Sequence, residues 1–306
     1  MDRAFDLSVE DLDAVVEKHG TPTYVYNGDL IVSRYHQLLN AIPLREKRIL
    51  YAMKANSNPH LLDLLKQEGA SIDAVSPAEV YLGLAVGFPK NRIMFTGNNM
   101  SDQEMHEVHA QGVLTNVGSL SRLEKFADAF PGEEVCIRLN PEVVAGAHEY
   151  IKTGGKETKF GINIADLPTV LKIAQDYNLR IVGVHEHTGS GIPEQVQMMQ
   201  GMDRILTEVT PQRFPHLRFL NFGGGIKISY DHSESDFDIA SFGKSVGDKL
   251  ESFASSFGTD LEVQFEPGKY LVAESGYLVV RATTIKDNSG RLIAGVDSGF
   301  NHLIRP

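Results

Sequence analysis

The chain has 306 residues, 42% of them hydrophobic, enough to bury one large core or two smaller ones. A net charge of −11 and a pI near 5.5 repel phosphate backbones, and no basic patch beyond the run "REKR" (45–48) offsets them, which argues against a nucleic-acid partner. No apolar run is long enough to cross a membrane, the acidic start "MDRAFDLSVEDLDAVV" lacks a signal peptide's core, and the single cysteine, Cys136, excludes internal disulfides and a cysteine-built zinc site. The expectation is a soluble, cytoplasmic protein with no membrane partner.

In chain order, the first strand-like run is "RILYAMKA" (48–55), which carries Lys54 to its end, just before the turn signal "NSNP". "PHLLDLLKQEG" (59–69) follows as a helix, with leucines at three- and four-residue spacing and a terminal glycine. Strand runs "ASIDAVS" (70–76), "RIMFTG" (92–97) and "GVLTNVG" (112–118) then alternate with helix-like stretches at 76–87, 101–112 and 119–130. The first two of those helices open on a serine followed three residues later by glutamate, a start signal. The remaining strand runs are "EVCIRLN" (134–140), "RIVGVHEHTG" (180–189), "LRFLNFGGG" (217–225) and "LEVQFEPG" (261–268).

Eight strands alternating with helices predict an α/β fold, a (β/α)8 TIM-type barrel over 23–268, after a lead-in segment at 1–22. The competing doubly wound sheet would place a glycine fingerprint after the first strand, where this chain has "KANSNP". From 269 to 300 the sequence reads as strand throughout, with a turn at "KDNSG", so a β-rich second domain is expected to begin at 269. Two or three strands cannot bury both faces of a sheet, so 269–306 is expected to be a partial, truncated β domain.

A barrel gathers the C-terminal ends of its strands at one mouth. The residues so gathered are Lys54, Asp73, Ser76, Asn98, Arg138, Asn140, His187, Ser190, Gly223, Gly224, Gly225 and Glu266. The three glycines of "NFGGGIKI" (221–228) fit a phosphate cradle and a tight turn equally well. "EPGKY" (266–270) adds a carboxylate and the cation Lys269 in the next loop. A phosphate, a lysine and a carboxylate at one mouth suggest pyridoxal phosphate, with Lys54 as the Schiff-base amine and Glu266 on the pyridine nitrogen. His187 in "HEHTGSG" fits as a flat ring against the cofactor. Two histidines at i, i+2 face one side of a strand, yet no carboxylate–histidine cluster accompanies them, so no metal is expected. Cys136, inside a strand, reads as a small core residue.

With these residues in hand, the chain resembles the fold-type III pyridoxal-phosphate decarboxylases, in the alanine-racemase-like barrel group, and their diaminopimelate branch most closely. The resemblance runs in family order through "YAMKAN" (51–56), "IDAVSPAEV" (72–80), "HEYIKTGGKETKFGI" (148–162), "HTGSG" (187–191), "NFGGGIKI", "EPGKYLVAESG" (266–276) and "VDSGFNHLIRP" (296–306). It implies decarboxylation of meso-2,6-diaminopimelate to L-lysine in lysine biosynthesis. Lys54 and His187 would be catalytic. Asp73, Ser190, Gly223, Gly224, Gly225, Glu266, Gly268 and Lys269 would hold the cofactor together with them, and Lys269 and Arg305 would meet substrate carboxylate or phosphate. It implies a homodimer with a shared site. Two departures stand out. Lys269 replaces the family's arginine, keeping the charge without the two-pronged grip. The tyrosine and cysteine that the family supplies after "LIRP" have no counterpart here, and Cys136 does not match that cysteine's motif. Two alternatives therefore stay open: a polyamine-type amino-acid decarboxylase, and a non-catalytic barrel that binds pyridoxal phosphate or regulates a homologue.

Overall fold

The structure is a computed structural model, and it describes residues 7–143, 158–229 and 235–304. Its strands are β1 (Thr23–Tyr26), β2 (Lys47–Ala52), β3 (Ser71–Ala74), β4 (Ile93–Phe95), β5 (Leu114–Val117), β6 (Glu134–Asn140), β7 (Ile162–Asn163), β8 (Arg180–His185), β9 (Phe219–Asn221), β10 (Glu262–Phe265), β11 (Gly276–Val279), β12 (Ala282–Asn288) and β13 (Arg291–Val296). Eight of these pair in parallel in the order β5-β4-β3-β2-β10-β9-β8-β6, and a β5–β6 pairing closes the ring. All eight fall on runs that the sequence marks as strands, and the expected barrel is what forms. The two-residue β7 adds to β6 from outside the ring.

Serine caps start the helices where the sequence placed them. Ser76 Oγ accepts from the amide of Glu79, and Ser101 with Glu104 forms a reciprocal capping box. The apolar faces of the helices from Gly28–Ala41 onward pack on the outside of the barrel, in one core running from Ile31 to Val272, whereas the first helix, Val9–His19, buries no residue. A second, smaller cluster fills the interior: Leu50, Met94, Cys136, Val182 and Phe219, with Leu114 against it. Cys136 is fully buried there, a core residue as expected. Gly183 is demanded by the Phe219 ring, which a Cβ at that position would overlap.

Three local readings change. Strand β2 ends at Ala52, and Lys54 sits two residues beyond it in the helical turn Met53–Ala55. The strand β8 likewise stops at His185, so "EHTG" is loop. Residues 269–275 are not strand: Lys269–Val272 is a short helix followed by the turn Ala273–Ser275, and Tyr270, Leu271 and Val272 are buried. The apolar run "YLV" is buried on all sides, a condition that strand and helix satisfy alike, and sequence alone does not separate them. Antiparallel strands do follow. β11 pairs with β1, a strand the sequence reading had not marked, and β12 and β13 form an exposed hairpin. No helix among the described residues is long and apolar enough to cross a membrane.

Candidate active site

At the C-terminal mouth of the barrel, Lys54 leaves the turn after β2 with its side chain 60% exposed, while Asp73 on β3 is 1% exposed. The Lys54 Nζ and an Asp73 carboxylate oxygen are 4.0 Å apart. Neither Asp73 oxygen has a hydrogen-bond partner among the described residues. Burial, with Glu266 adding repulsion and Lys54 attraction, pushes the Asp73 carboxyl up to about 6. An accessible amine beside a dry carboxyl is a pair built for a ligand, since an orphaned buried acid is costly without one.

The loops after β8, β9 and β10 are interlocked. Gly224 N–H donates to His187 Nδ1 at 3.1 Å, and Gly223 N–H donates to Asn221 Oδ1 at 2.9 Å. A Cβ on Gly224 would run into the Glu266 carbonyl oxygen, and one on Gly225 into the Gly189 carbonyl. Ile192 N–H donates to Gly225 O at 2.8 Å, which ties the loop carrying Ser190 to the glycine loop. The two readings of the triple glycine are thereby weighed: close packing accounts for each position, and two of the three amides are already used inside the chain. Gly268 lies against Ala52 and Ala55, and Pro267 O accepts from Ala52 N–H at 3.1 Å, which draws the Glu266 loop to the Lys54 turn. Lys269 is half-buried at the start of the short helix. Arg305, and 148–157 of the segment read as specific to the diaminopimelate branch, lie outside the described residues.

Glu266 itself is buried, and one carboxylate oxygen accepts from Asn221 Nδ2 at 2.8 Å. Burial raises its carboxyl above the usual range, against the pull of Lys54 and Arg138. His187 is held well below its ordinary value, first by burial and then by Arg138, so its ring is neutral. A neutral ring that accepts at Nδ1 carries its proton on Nε2. Asp73 and Glu266 thus face Lys54 and Arg138 across one interior, two acids against two cations.

A family model, "Pyridoxal-dependent decarboxylase, pyridoxal binding domain", matches residues 29–273. The chain belongs to the pyridoxal-dependent decarboxylases. It is 38% identical to the diaminopimelate decarboxylase of Methanothermobacter thermautotrophicus and 35% identical to that of Pseudomonas fluorescens, in each case over 96% of this chain and 71% of the relative. Among solved structures, diaminopimelate decarboxylase from Helicobacter pylori complexed with L-lysine matches with a TM-score of 0.86 at 30% identity, covering 96% of this chain and 75% of that one. A lysine/ornithine decarboxylase from Vibrio vulnificus complexed with putrescine matches at 0.80 with 24% identity, over 96% and 77%, and shares the fold.

This carboxy-lyase has a second opening that takes no part in the site. A cavity of about 640 Å³ lies at the opposite, N-terminal ends of the strands, among Leu50, Ser71 and Phe219. Its rim is closed by ion pairs, Arg48 with Glu262 at 2.8 Å and Arg218 with Glu134. The mouth also holds residues that the sequence reading gave no role. Arg138 was placed at a strand end only; it is buried, with its guanidinium 4.9 Å from the Phe160 ring centroid. Asn116, His185, Glu186 and Asn221 are each 1% exposed. The signal for two of them is period-two alternation: Asn116 follows Leu114 and Asn221 follows Phe219 on the inward face, polar where an interior strand should be apolar, whereas a register shift in β8 breaks the alternation between Val182 and His185.

Proposed function

We propose that the chain decarboxylates meso-2,6-diaminopimelate to L-lysine with pyridoxal phosphate as cofactor. The observation that carries this reading is the exposed Lys54 amine beside the orphaned, buried carboxyl of Asp73, at the same mouth as Glu266. The identities of 38% and 35% to diaminopimelate decarboxylases support the substrate, as does the L-lysine in the Helicobacter pylori structure.

The donor set fits the cofactor. Lys54 Nζ would hold its aldehyde carbon, Glu266 its ring nitrogen, and the neutral His187 imidazole would lie against its ring. Ser190 with the loop of Gly223, Gly224 and Gly225, and Gly268 with Lys269, would surround its phosphate. Bound pyridoxal phosphate supplies an electron sink for the carbanion left when carbon dioxide departs. The chain's own residues set the conditions. Asp73 places a carboxyl 4.0 Å from the Lys54 Nζ. Arg138 lies among three buried acids, Glu266, Asp73 and Glu186. The packed loops exclude water from the Glu266 side of the site. Lys269 and Arg305 are the cations assigned to the substrate's carboxylates, and a cytoplasmic homodimer is the assembly this reading carries.

The test is to add pyridoxal phosphate to the purified chain, reduce with borohydride, and map the modified peptide by mass. Carbon dioxide release from meso-diaminopimelate, L-lysine and L-ornithine is then compared. An adduct on Lys54 with release from diaminopimelate alone is the expected result. Preferential release from ornithine would overturn the substrate, and scattered labelling would overturn the site.

A further inference from the structure

We infer that Glu186 is a positioning residue which, as an uncharged acid, clamps the loop carrying His187 and Ser190 against the helix Gln195–Leu206, with Thr188 and Gly201 as the other parts of the clamp. Its bearing on the cofactor rests on the role proposed above for His187. Glu186 and Thr188 flank His187 in the chain and are 1% and 2% exposed. Thr188 Oγ1 and Glu186 Oε2 are hydrogen-bonded at 2.9 Å. The helix comes down on both: a Cβ at Gly201 would overlap Thr188 Oγ1 and crowd both Glu186 oxygens. The His187 ring lies against Gly223 and Gly224 instead. The backbone is tied at the same place, with Glu186 N–H donating to Asn221 O at 2.8 Å. The ring proposed to meet the cofactor is thus set from behind by a carboxyl and a hydroxyl that meet the helix.

The clamp closes on the acid, not on the anion. A buried carboxylate needs a cation or several donors. Among the described residues Glu186 has one hydroxyl and no ion pair. The protonated carboxyl keeps that bond, because a hydroxyl can accept as well as donate. Arg138 on β6 attracts the carboxylate without pairing with it, and Glu266 on β10 repels it. Its chain neighbours His185 and His187 are held neutral, chiefly by burial. On the helix, Asp203 and Arg204 are engaged with Lys249 and Glu142. Burial dominates and pushes the Glu186 carboxyl up to about 8. An undocked loop would return it to water and to its ordinary 4.5. Docking therefore takes up a proton between those values. The docked loop loses stability as pH rises from 4.5 to 8, and loses no more above that.

Amide exchange over 186–192 in the purified chain tests this against Glu186→Gln, which is uncharged at every pH. Protection, corrected for the intrinsic pH dependence of exchange, should fall by up to about 50-fold between pH 6 and pH 8 in the parent and stay level in the variant. An identical pH dependence in the two would overturn the inference. Thr188→Val removes the hydroxyl that favours the anion, so the pH at which the parent's loss levels off should move upward. An unmoved value would overturn the inference even if Glu186→Gln fails to fold, which circular dichroism checks. Glu186→Ala should weaken pyridoxal phosphate binding by about tenfold, and Glu186→Gln should restore it to within about twofold of the parent. A glutamine no better than alanine would count against the clamp. Absence of the Lys54 adduct in the parent chain would instead overturn the cofactor reading and leave the exchange result standing.

Discussion

Asp73 shows how one residue can oppose folding and serve chemistry. Its folded carboxyl titrates near 6 against an ordinary 3.8, so between those values the folded chain keeps a proton that the unfolded chain has lost. Stability therefore falls as pH rises through that window and stays lowered above it. In the chain without cofactor, Asp73→Asn should flatten this slope and raise Tm at pH 7, by the equivalent of at most about 3 kcal/mol. Thermal melts of both proteins at pH 4 and pH 7 measure this, and an unchanged slope would contradict it. Lys54→Ala removes the only side chain assigned to the aldehyde. Borohydride should then leave no adduct at that peptide, and carbon dioxide release should drop by roughly a thousandfold or more. Both residues were legible in sequence as strand-end groups. Arg138 was visible there but without a role, and His185 was read only as half of a histidine pair for a metal. Asn116 and Asn221, which meet His185 and Glu266 respectively, lie 69 and 45 positions away from them, and spacing along a chain carries no trace of such meetings.

Among the elements, the turn after β9 and the helix caps make contrasting predictions. Gly224→Ala pushes a methyl group into the backbone carbonyl of Glu266, and neither loop can yield without moving the ring-nitrogen partner. The substitution should cost about 1–3 kcal/mol in urea denaturation and weaken cofactor binding as well. Ser101→Ala breaks a capping box on the outside of the barrel and should cost about 1 kcal/mol while leaving turnover unchanged. The second result would separate general destabilisation from damage to the site. Local signals served the caps well because capping is a contact within four residues. They failed for Lys269–Val272, where "KYLVAES" has no polar face to reveal a helical period. They also missed β1, whose pairing is made entirely by a strand from the far end of the chain.

For the molecule as a whole, the barrel and the segment after it differ in how they are held. Barrel strands are sandwiched between an apolar interior and a helical coat, whereas every residue of β12 is exposed and Ile285 and Leu292 are 64% and 73% open. An isolated two-stranded hairpin is marginal by itself. In the 306-residue chain, the amides of 282–296 should exchange with deuterium well before those of β2, β3 and β8, and trypsin should cut first at Lys286 or Arg291. Protection equal to that of the barrel would mean that another surface covers the hairpin in solution.

The β1–β11 seam has a consequence for how the protein is made. Tyr26 pairs opposite Gly276, about 250 residues away, so β1 has no partner in its sheet until about 250 further residues have been synthesised. At about 5–20 residues per second, that wait is on the order of 10–50 s. Throughout it the edge of β1 is open to any other strand nearby, including that of a second nascent copy. A strand translated well before its partner thus waits unpaired, and crowding on a polysome is where this seam is most exposed to error.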